Sequence, residues 1–223
     1  MMSMMNLLLI RHARNDWLGE RLAGWTPGVH LNDEGRAQAA ALAQGLGNVP
    51  LVAIYSSPLE RTLETARPLA ERHGLTIQVR EGLGETRCGE WTGRSLEELQ
   101  EEDLWPVVQV YPGRVRFPGG ESMREVQARM VAEVDAIRDA HPGQTVAIVS
   151  HSDPIKMAVA YYAGLPLDLF QRLTISPASV TALAFTRFGP RVVCLNHTEA
   201  LPSFEIEEKG EGIGSDDHAL PGI

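Results

Sequence analysis

The chain has 223 residues, of which 43% are hydrophobic and 22% charged, and its formal net charge is −9. That length suits one α/β domain with a sizeable core and is short for two, and the composition excludes fibrous and membrane-spanning classes. The negative charge also argues against a nucleic-acid partner, because phosphate backbones are bound mainly by net basic surfaces.

The charge is unevenly placed. From Glu199 onward seven carboxylates stand against Lys209 alone, so this Gly-rich segment carries −6 of the −9 and the body is close to neutral. Such a composition predicts a disordered acidic tail over 199–223 and a folded domain over 1–198. Near the start, the apolar run before Arg11 covers only Leu7 to Ile10, too short for a signal-peptide core or a bilayer span, so the expected location is the cytoplasm. Cys88 and Cys194 cannot make a disulfide framework and no Cys-x-x-Cys pair is present, so both read as reduced thiols.

In chain order, Asn6 to Ile10 reads as a short buried strand ending at a polar cluster, Arg11, His12, Arg14, Asn15 and Asp16. Asn32 to Leu46 reads as a helix with Asn32 as N-cap, Asp33 and Glu34 in its first turn, an alanine-rich body and Gly47 as its stop. Leu51 to Tyr55 is a second apolar strand. The hydroxyls of Ser56 and Ser57 are placed to cap a helix running to about Arg72, in which Pro68 predicts a kink or an early end. Thr76 to Val79 is a weaker strand, followed by the loop EGLGETRCGEWTGRS and a helical piece over Ser95 to Asp103. An irregular Pro- and Gly-containing stretch through Gly120 completes a long connection of the kind that forms binding loops or lids.

Glu121 to Ala140 places Met123, Val126, Met130, Val134 and Ile137 on one helical face. Thr145 to Ser150 is the most regular strand and runs into His151, Ser152, Asp153 and Pro154, with a helix expected over Ile155 to Ala163. Thr181 to Thr186 and Arg191 to Leu195 flank Gly189-Pro190 as a closing hairpin, whose exposed edge could pair two subunits, so a monomer and a homodimer both fit. Strands alternating with helices predict a three-layer α/β/α sandwich around a mostly parallel sheet.

Two polar clusters follow strand ends, Arg11-His12 and Ser150-His151. In adjacent parallel strands their imidazoles would converge at one edge of the sheet, where open α/β sheets bind ligands. A neutral imidazole nitrogen is a nucleophile toward phosphorus when cations neutralise the phosphoryl oxygens, and Arg11 and Arg61 offer forked donors for that purpose. The bland alternative for Arg61 is pairing with Glu60 or Glu64 on an exposed helix face. Departure of an alcohol requires a proton donor; Glu85, Glu90 and Glu81 all fit by spacing.

Arg11-His12-Ala13-Arg14-Asn15 resembles the Arg-His-Gly-Glu/Gln-Thr/Ser opening of the histidine phosphatase superfamily, which includes the cofactor-dependent phosphoglycerate mutases. LNDEGRAQA, SSPLERTLETA, LGETRCGEWTG, FPGGES and VSHSDPIK follow in the family's order, so the resemblance spans roughly 6 to 196. It implies a phosphoglycerate mutase-like fold, transient phosphorylation of His12, a phosphate surrounded by Arg11, Arg61 and His151, and Glu85 as proton donor. LAGWTPGVHL and LDLFQRLTISPASV are similar to a bacterial subgroup labelled probable phosphomutase. Ala13 stands in place of the usual Gly, Arg14 and Asn15 replace the usual Glu/Gln and Thr/Ser, Leu18 stands where many members have Asn, and SHSD replaces SHGG. Asn15, Arg14 and Ser152 are further candidates for contact with substrate.

The resulting expectation is a phosphatase acting on a small phosphorylated metabolite, with no cofactor, no metal and no membrane partner. A phosphomutase is the first alternative, although TRCGEWTG after Glu85 is closer to the phosphatase pattern than to the Glu-Arg-His-Tyr-Gly stretch of phosphoglycerate mutases. A metallohydrolase using His12, His151, Asp153 and Glu85 lacks a close His-x-x-x-His pair, and a non-catalytic phosphate-binding regulator is the remaining alternative. Trp105, Arg114, Arg116 and Phe117 are placed to cover the pocket, with the arginines reading a second anionic group; in the competing reading Trp105 and Phe117 only anchor the loop.

Overall fold

The structure, a computed structural model, describes residues 4–198, and the expected acidic tail lies outside the described residues. The first strand, β1 (Met5–Arg11), explains the layering. Leu7 and Leu9 point to one face of the sheet and Leu8 and Ile10 to the other, and all four are fully buried. A strand buried on both faces requires helices on both.

Those helices are α1 (Asp33–Gly45) and α2 (Glu60–His73) on one side and α5 (Met123–Ala140) and α6 (Ser152–Tyr162) on the other. Ala43, Ala66 and Leu69 pack on Leu8 and Ile10. Met130, Val134, Ile137 and Ile155 pack on Leu7 and Leu9. The remaining strands are β2 (Leu51–Ser56), β3 (Ile77–Val79), β4 (Thr145–Ser150), β5 (Val180–Thr186) and β6 (Gly189–His197), in the order β3-β2-β4-β1-β5-β6. Pairings from β3 through β1 are parallel, whereas β1–β5 and β5–β6 are antiparallel. The expected three-layer α/β/α arrangement is therefore present, its parallel strands closed by the hairpin on one edge. No helix among the described residues is long and apolar enough to cross a membrane.

Four local expectations change. Ser56 and Ser57 do not cap α2, whose N-cap is Leu59 without a side-chain bond. The Ser56 hydroxyl turns to the Ser57 carbonyl, and the Ser57 hydroxyl is engaged by His151. Pro68 neither ends nor shortens α2, which continues to His73 and closes on Gly74 at φ +63°. The turn after it buries Leu69 and Ala70, and burying one leucine is worth about 1.5–3 kcal/mol, comparable with the roughly 3 kcal/mol that an interior helical proline costs.

The stretch after Asp103, expected to be irregular, contains a further helix. Following α3 (Leu96–Gln100), α4 (Trp105–Val110) begins with Pro106 in its first turn, where a proline starts a helix instead of breaking it. The segment has its own apolar cluster, including Trp91, Leu99, Val108, Phe117 and Phe170. α6, whose Met157 and Ala160 join the same cluster, starts at Ser152, earlier than the expected Ile155, with Pro154 inside its first turn.

The packing is tightest where α1 meets the loop after β1. A Cβ added to Gly35 would lie 1.9 Å from the Arg14 carbonyl oxygen and 3.0 Å from its nitrogen. On an open helix Gly→Ala gains up to about 1 kcal/mol, but here backbone must move, and Gly35→Ala is expected to destabilise the fold by about 1–3 kcal/mol. A fall in the urea midpoint at unchanged slope is the expected result; a rise would show that the loop yields freely.

Candidate active site

Register places the two histidines. β1 and β4 are parallel neighbours with Arg11 opposite Ser150, and the His12 N–H donates to the Ser150 carbonyl at 2.9 Å. His12 and His151 are therefore the next residues out from one rung of the ladder. Their ring centroids lie 5.2 Å apart at 61°, with His12 5% exposed and His151 fully buried.

Each ring is held through one nitrogen. His12 Nδ1 lies 2.8 Å from the Ala13 carbonyl oxygen, which requires the proton on Nδ1 and leaves a lone pair on Nε2. Burial, followed by the Arg61 and Arg11 charges, holds its pKa well below the usual histidine range. His151 Nε2 is 2.8 Å from the Ser57 hydroxyl, while Nδ1 has no hydrogen-bond partner among the described residues and lies 3.8 Å from Glu85 Oε2. Burial and then Arg61 depress its pKa as well.

Arg61 sits in the first turn of α2 and is 1% exposed. Its Nη2 donates to the Gly24 carbonyl at 2.8 Å, whereas Nε and Nη1 are buried with no partner among the described residues. Arg11 is similar, with Nη1 donating to the Ile175 carbonyl at 2.6 Å and Nε unpartnered. Burial lowers both pKa values from an ordinary guanidinium, but each remains a cation at neutral pH. Buried guanidinium donors with no acceptor, beside the N-termini of α2 and α6, suit an oxyanion with several acceptor oxygens.

Glu85 enters on a loop clamped from behind. Its own backbone carbonyl accepts Trp25 Nε1 at 2.5 Å and Arg129 Nη2 at 2.8 Å. Arg129, on α5, also donates to the Gly82 and Gly84 carbonyls at 2.8 Å each and pairs with Glu121, whose Oε2 in turn accepts the Arg87 N–H at 2.8 Å. The Glu85 carboxylate accepts the Thr86 N–H at 2.8 Å. Burial and then the Asp153 carboxylate raise its pKa, opposed by Arg61. Of the three acids that spacing left open, Glu85 faces His151, whereas Glu81 pairs with Arg87 at the surface and Glu90 is exposed.

The other candidates divide. Asn15 is buried, but its Oδ1 is taken by the Trp17 N–H at 3.0 Å. Arg14 turns away along α1 to Glu34 at 3.3 Å, and half-buried Ser152 opens α6. Ala13 packs its methyl on Leu31 and Ala39 while its N–H donates to Thr65. In the 95–120 segment, Arg114 and Arg116 are exposed, and Arg116 pairs with Glu125 at 2.6 Å. Phe117 is core and Trp105 stacks on Trp91 at 6.3 Å, which is the anchoring arrangement. Among the described residues no three His, Cys, Asp or Glu side chains converge as a metal site would need. Ser57, Trp25, Glu121 and Arg129 were not anticipated; only Ser57, polar at a strand end, carried a signal, and it read as a helix cap.

A family model described as "Histidine phosphatase superfamily (branch 1)" matches residues 7–198. Phosphoserine phosphatase 1 of Hydrogenobacter thermophilus is 34% identical over 209 residues, covering 92% of this chain and 98% of that protein. A probable phosphoglycerate mutase, GpmB, of Cronobacter sakazakii is 30% identical over 184 residues, covering 82% and 86%. Among solved structures, mycobacterial glucosyl-3-phosphoglycerate phosphatase superposes with a TM-score of 0.80 at 27% identity, covering 87% of this chain and all of that one.

The clamp on the 82–87 loop is directly measurable. Arg129→Met removes three bonds to its carbonyls, and amide hydrogen exchange of Gly84 to Arg87 is expected to rise at least about tenfold while β1 and β4 keep their protection. Unchanged exchange in the loop would show that Trp25 and Glu121 hold it without Arg129.

Proposed function

The chain belongs to the histidine phosphatase superfamily, and from that membership and the site's geometry we propose that it hydrolyses a small phosphate monoester through a phosphohistidine on His12. The observation that carries the reading is the free Nε2 lone pair of a buried neutral imidazole beside two guanidinium groups with unspent donors. The relatives named as phosphatases support hydrolysis as the outcome.

In the first step the His12 Nε2 lone pair bonds to phosphorus in line with the ester P–O bond, which breaks as Glu85 gives its proton to the departing alcohol. Arg11, Arg61 and His151 hold the phosphoryl oxygens as charge builds on them. With the Ser57 hydroxyl donating to Nε2, His151 carries its proton on Nδ1 and presents it to the phosphate. In the second step Glu85, now a carboxylate, takes a proton from water as the water oxygen attacks phosphorus; the N–P bond breaks, phosphate leaves and His12 is neutral again. The guanidinium groups supply the charge that a metal ion would otherwise bring.

The pKa shifts set the sign of the pH dependence. Step one needs His12 deprotonated, which its depressed pKa secures down to well below 6.5, and Glu85 protonated, which its raised pKa extends above 4.5. For an alkyl phosphate, kcat/KM should therefore fall on the acid side as His12 protonates and on the alkaline side as Glu85 ionises.

His12→Ala is expected to lose kcat by at least about a thousandfold, along with the acid-labile phosphoenzyme seen by rapid quench with labelled substrate. Glu85→Gln should lower kcat/KM for alkyl phosphates by roughly 10²–10⁴ and abolish the alkaline limb, with a much smaller loss for p-nitrophenyl phosphate, whose phenolate leaves unprotonated. Turnover that survives in His12→Ala, or that disappears in chelator and returns with zinc, would defeat the scheme. The relative named a probable mutase favours one second reading, in which the phosphoenzyme returns its group to substrate; 3-phosphoglycerate followed by ³¹P NMR separates the two, with no isomer expected and any product being inorganic phosphate.

A further inference from the structure

A cavity of about 130 Å³ opens beside Glu85, the residue proposed to protonate the departing alcohol. Its wall is largely apolar, with Trp91, Trp105, Phe117 and Met123 contributing from the 88–123 segment. Among the described residues lining it, the only charged ones are Glu85 and Asp153, and no Arg, Lys or His is among them. The basic residues of the covering segment lie elsewhere: Arg87 pairs with Glu81, Arg94 with Glu102 and Arg116 with Glu125, Arg124 donates to the Gly113 carbonyl, and exposed Arg114 is not among the lining residues.

Asp153 is therefore the fixed charge of this cavity, because Glu85 must be protonated when substrate arrives. It stands in the first turn of α6, directly after His151-Ser152, and its side chain is 32% exposed. Its ion-pair partner within 4 Å is Lys156, at 3.6 Å on the same helix, a loose contact that leaves carboxylate oxygens for a ligand. An acidic residue in a first helical turn is ordinary by itself. What gives it meaning is its position, inside an aromatic-walled cavity that adjoins the phosphoryl site.

Resting on the proposed phosphatase reading, we infer that this cavity selects the alcohol half of the substrate, and that Asp153 with the indole wall takes phosphate monoesters of amine-bearing alcohols while rejecting those whose alcohol carries a carboxylate. An ammonium group gains from the carboxylate and from the half-buried indole of Trp105. A carboxylate meets Asp153 at close range, and the cation nearest to it, Lys156, is already engaged by Asp153 and by the Gln171 side chain. The lack of an uncommitted cation disfavours phosphoglycerates as substrates for either hydrolysis or isomerisation.

The test compares kcat/KM of the full-length protein for phosphoethanolamine, phosphocholine, O-phosphoserine and 3-phosphoglycerate, with p-nitrophenyl phosphate as reference. The two amine esters are expected to exceed 3-phosphoglycerate by at least about tenfold, with O-phosphoserine, which carries both groups, in between. Asp153→Asn should shrink the ratio of phosphoethanolamine to 3-phosphoglycerate at least about fivefold, a change in ratio that a merely structural role for Asp153 would not produce. A wild type that turns over p-nitrophenyl phosphate through His12 but prefers 3-phosphoglycerate, or a ratio unmoved in Asp153→Asn, overturns the inference and leaves the phosphatase reading standing. Failure of the wild type to turn over any of the five compounds overturns the phosphatase reading, and the inference with it.

Discussion

The site depends on one rung of parallel β pairing, Arg11 opposite Ser150. Because neighbouring parallel strands run in the same direction, the residues that follow a paired rung emerge side by side at the same edge. Hence His12 and His151, far apart in sequence, face each other at 5.2 Å without any direct bond between them. β2 extends the same logic, since the Ser57 N–H donates to the Val149 carbonyl at 3.0 Å, which delivers the hydroxyl that holds His151 and starts the helix that carries Arg61. A slip of one residue between β1 and β4 would turn every side chain of the slipped strand to the opposite face. Both faces of both strands are apolar, so that slip is opposed by side-chain fit, with Leu7 and Leu9 packed on α5 and α6 and Leu8 and Ile10 on α1 and α2, and the packed core in this way sets the geometry of the polar edge.

Burying two arginines and two histidines together creates an electrostatic problem with one solution for all four. Full ionisation would place four cations in a site with little water. Desolvation and the fixed guanidinium charges instead keep both imidazoles neutral, which is also the state that makes His12 Nε2 a nucleophile. Glu85 experiences the reverse shift, because burial and Asp153 outweigh the arginines and favour its protonated form. Two titratable groups are thus driven apart by their surroundings, the pattern expected where a base and an acid act together.

Much of this was legible in the sequence because it follows from periodicity and from strand ends. Thr145 to Ser150 matches β4 as built, and Asn32 caps α1 as read. The failures share a physical origin, namely that the deciding partner lay elsewhere in the chain. Ser57 reads as a local cap, but a distant imidazole claims its hydroxyl. Pro68 reads as a breaker, yet it is overridden by the burial of the turn after it, and the Pro- and Gly-containing stretch that reads as irregular holds a helix because Pro106 occupies a first turn. Arg129 gives no signal at all: it follows the polar positions of an amphipathic helix, and its targets are backbone carbonyls, which every sequence possesses. The cavity wall was legible only in part: Trp105 and Phe117 read as covering residues, but Trp91 joins them only when the whole 88–123 segment folds around its own apolar cluster.

The departures from the family's opening motif can now be sorted by where their side chains go. The Ala13 methyl packs among Leu31 and Ala39, behind the strand end, so the extra carbon is absorbed by the helix layer and leaves the His12 edge as it was. Arg14 is drawn to Glu34 and Gln38 on α1, and its carbonyl lies against Gly35; it serves the packing of that helix. Asn15 spends its side-chain oxygen on the turn that starts at Trp17. The change from SHGG to SHSD is of another kind, since it adds a carboxylate beside Glu85, in the cavity next to the reacting bond. On the proposed scheme the substitutions that follow His12 turn their side chains away from its ring, while the one beside the second histidine lines the cavity assigned to the alcohol. The same scheme assigns the chemistry of this chain to the sheet edge, and its selectivity to the first turn of α6 together with the segment folded over it.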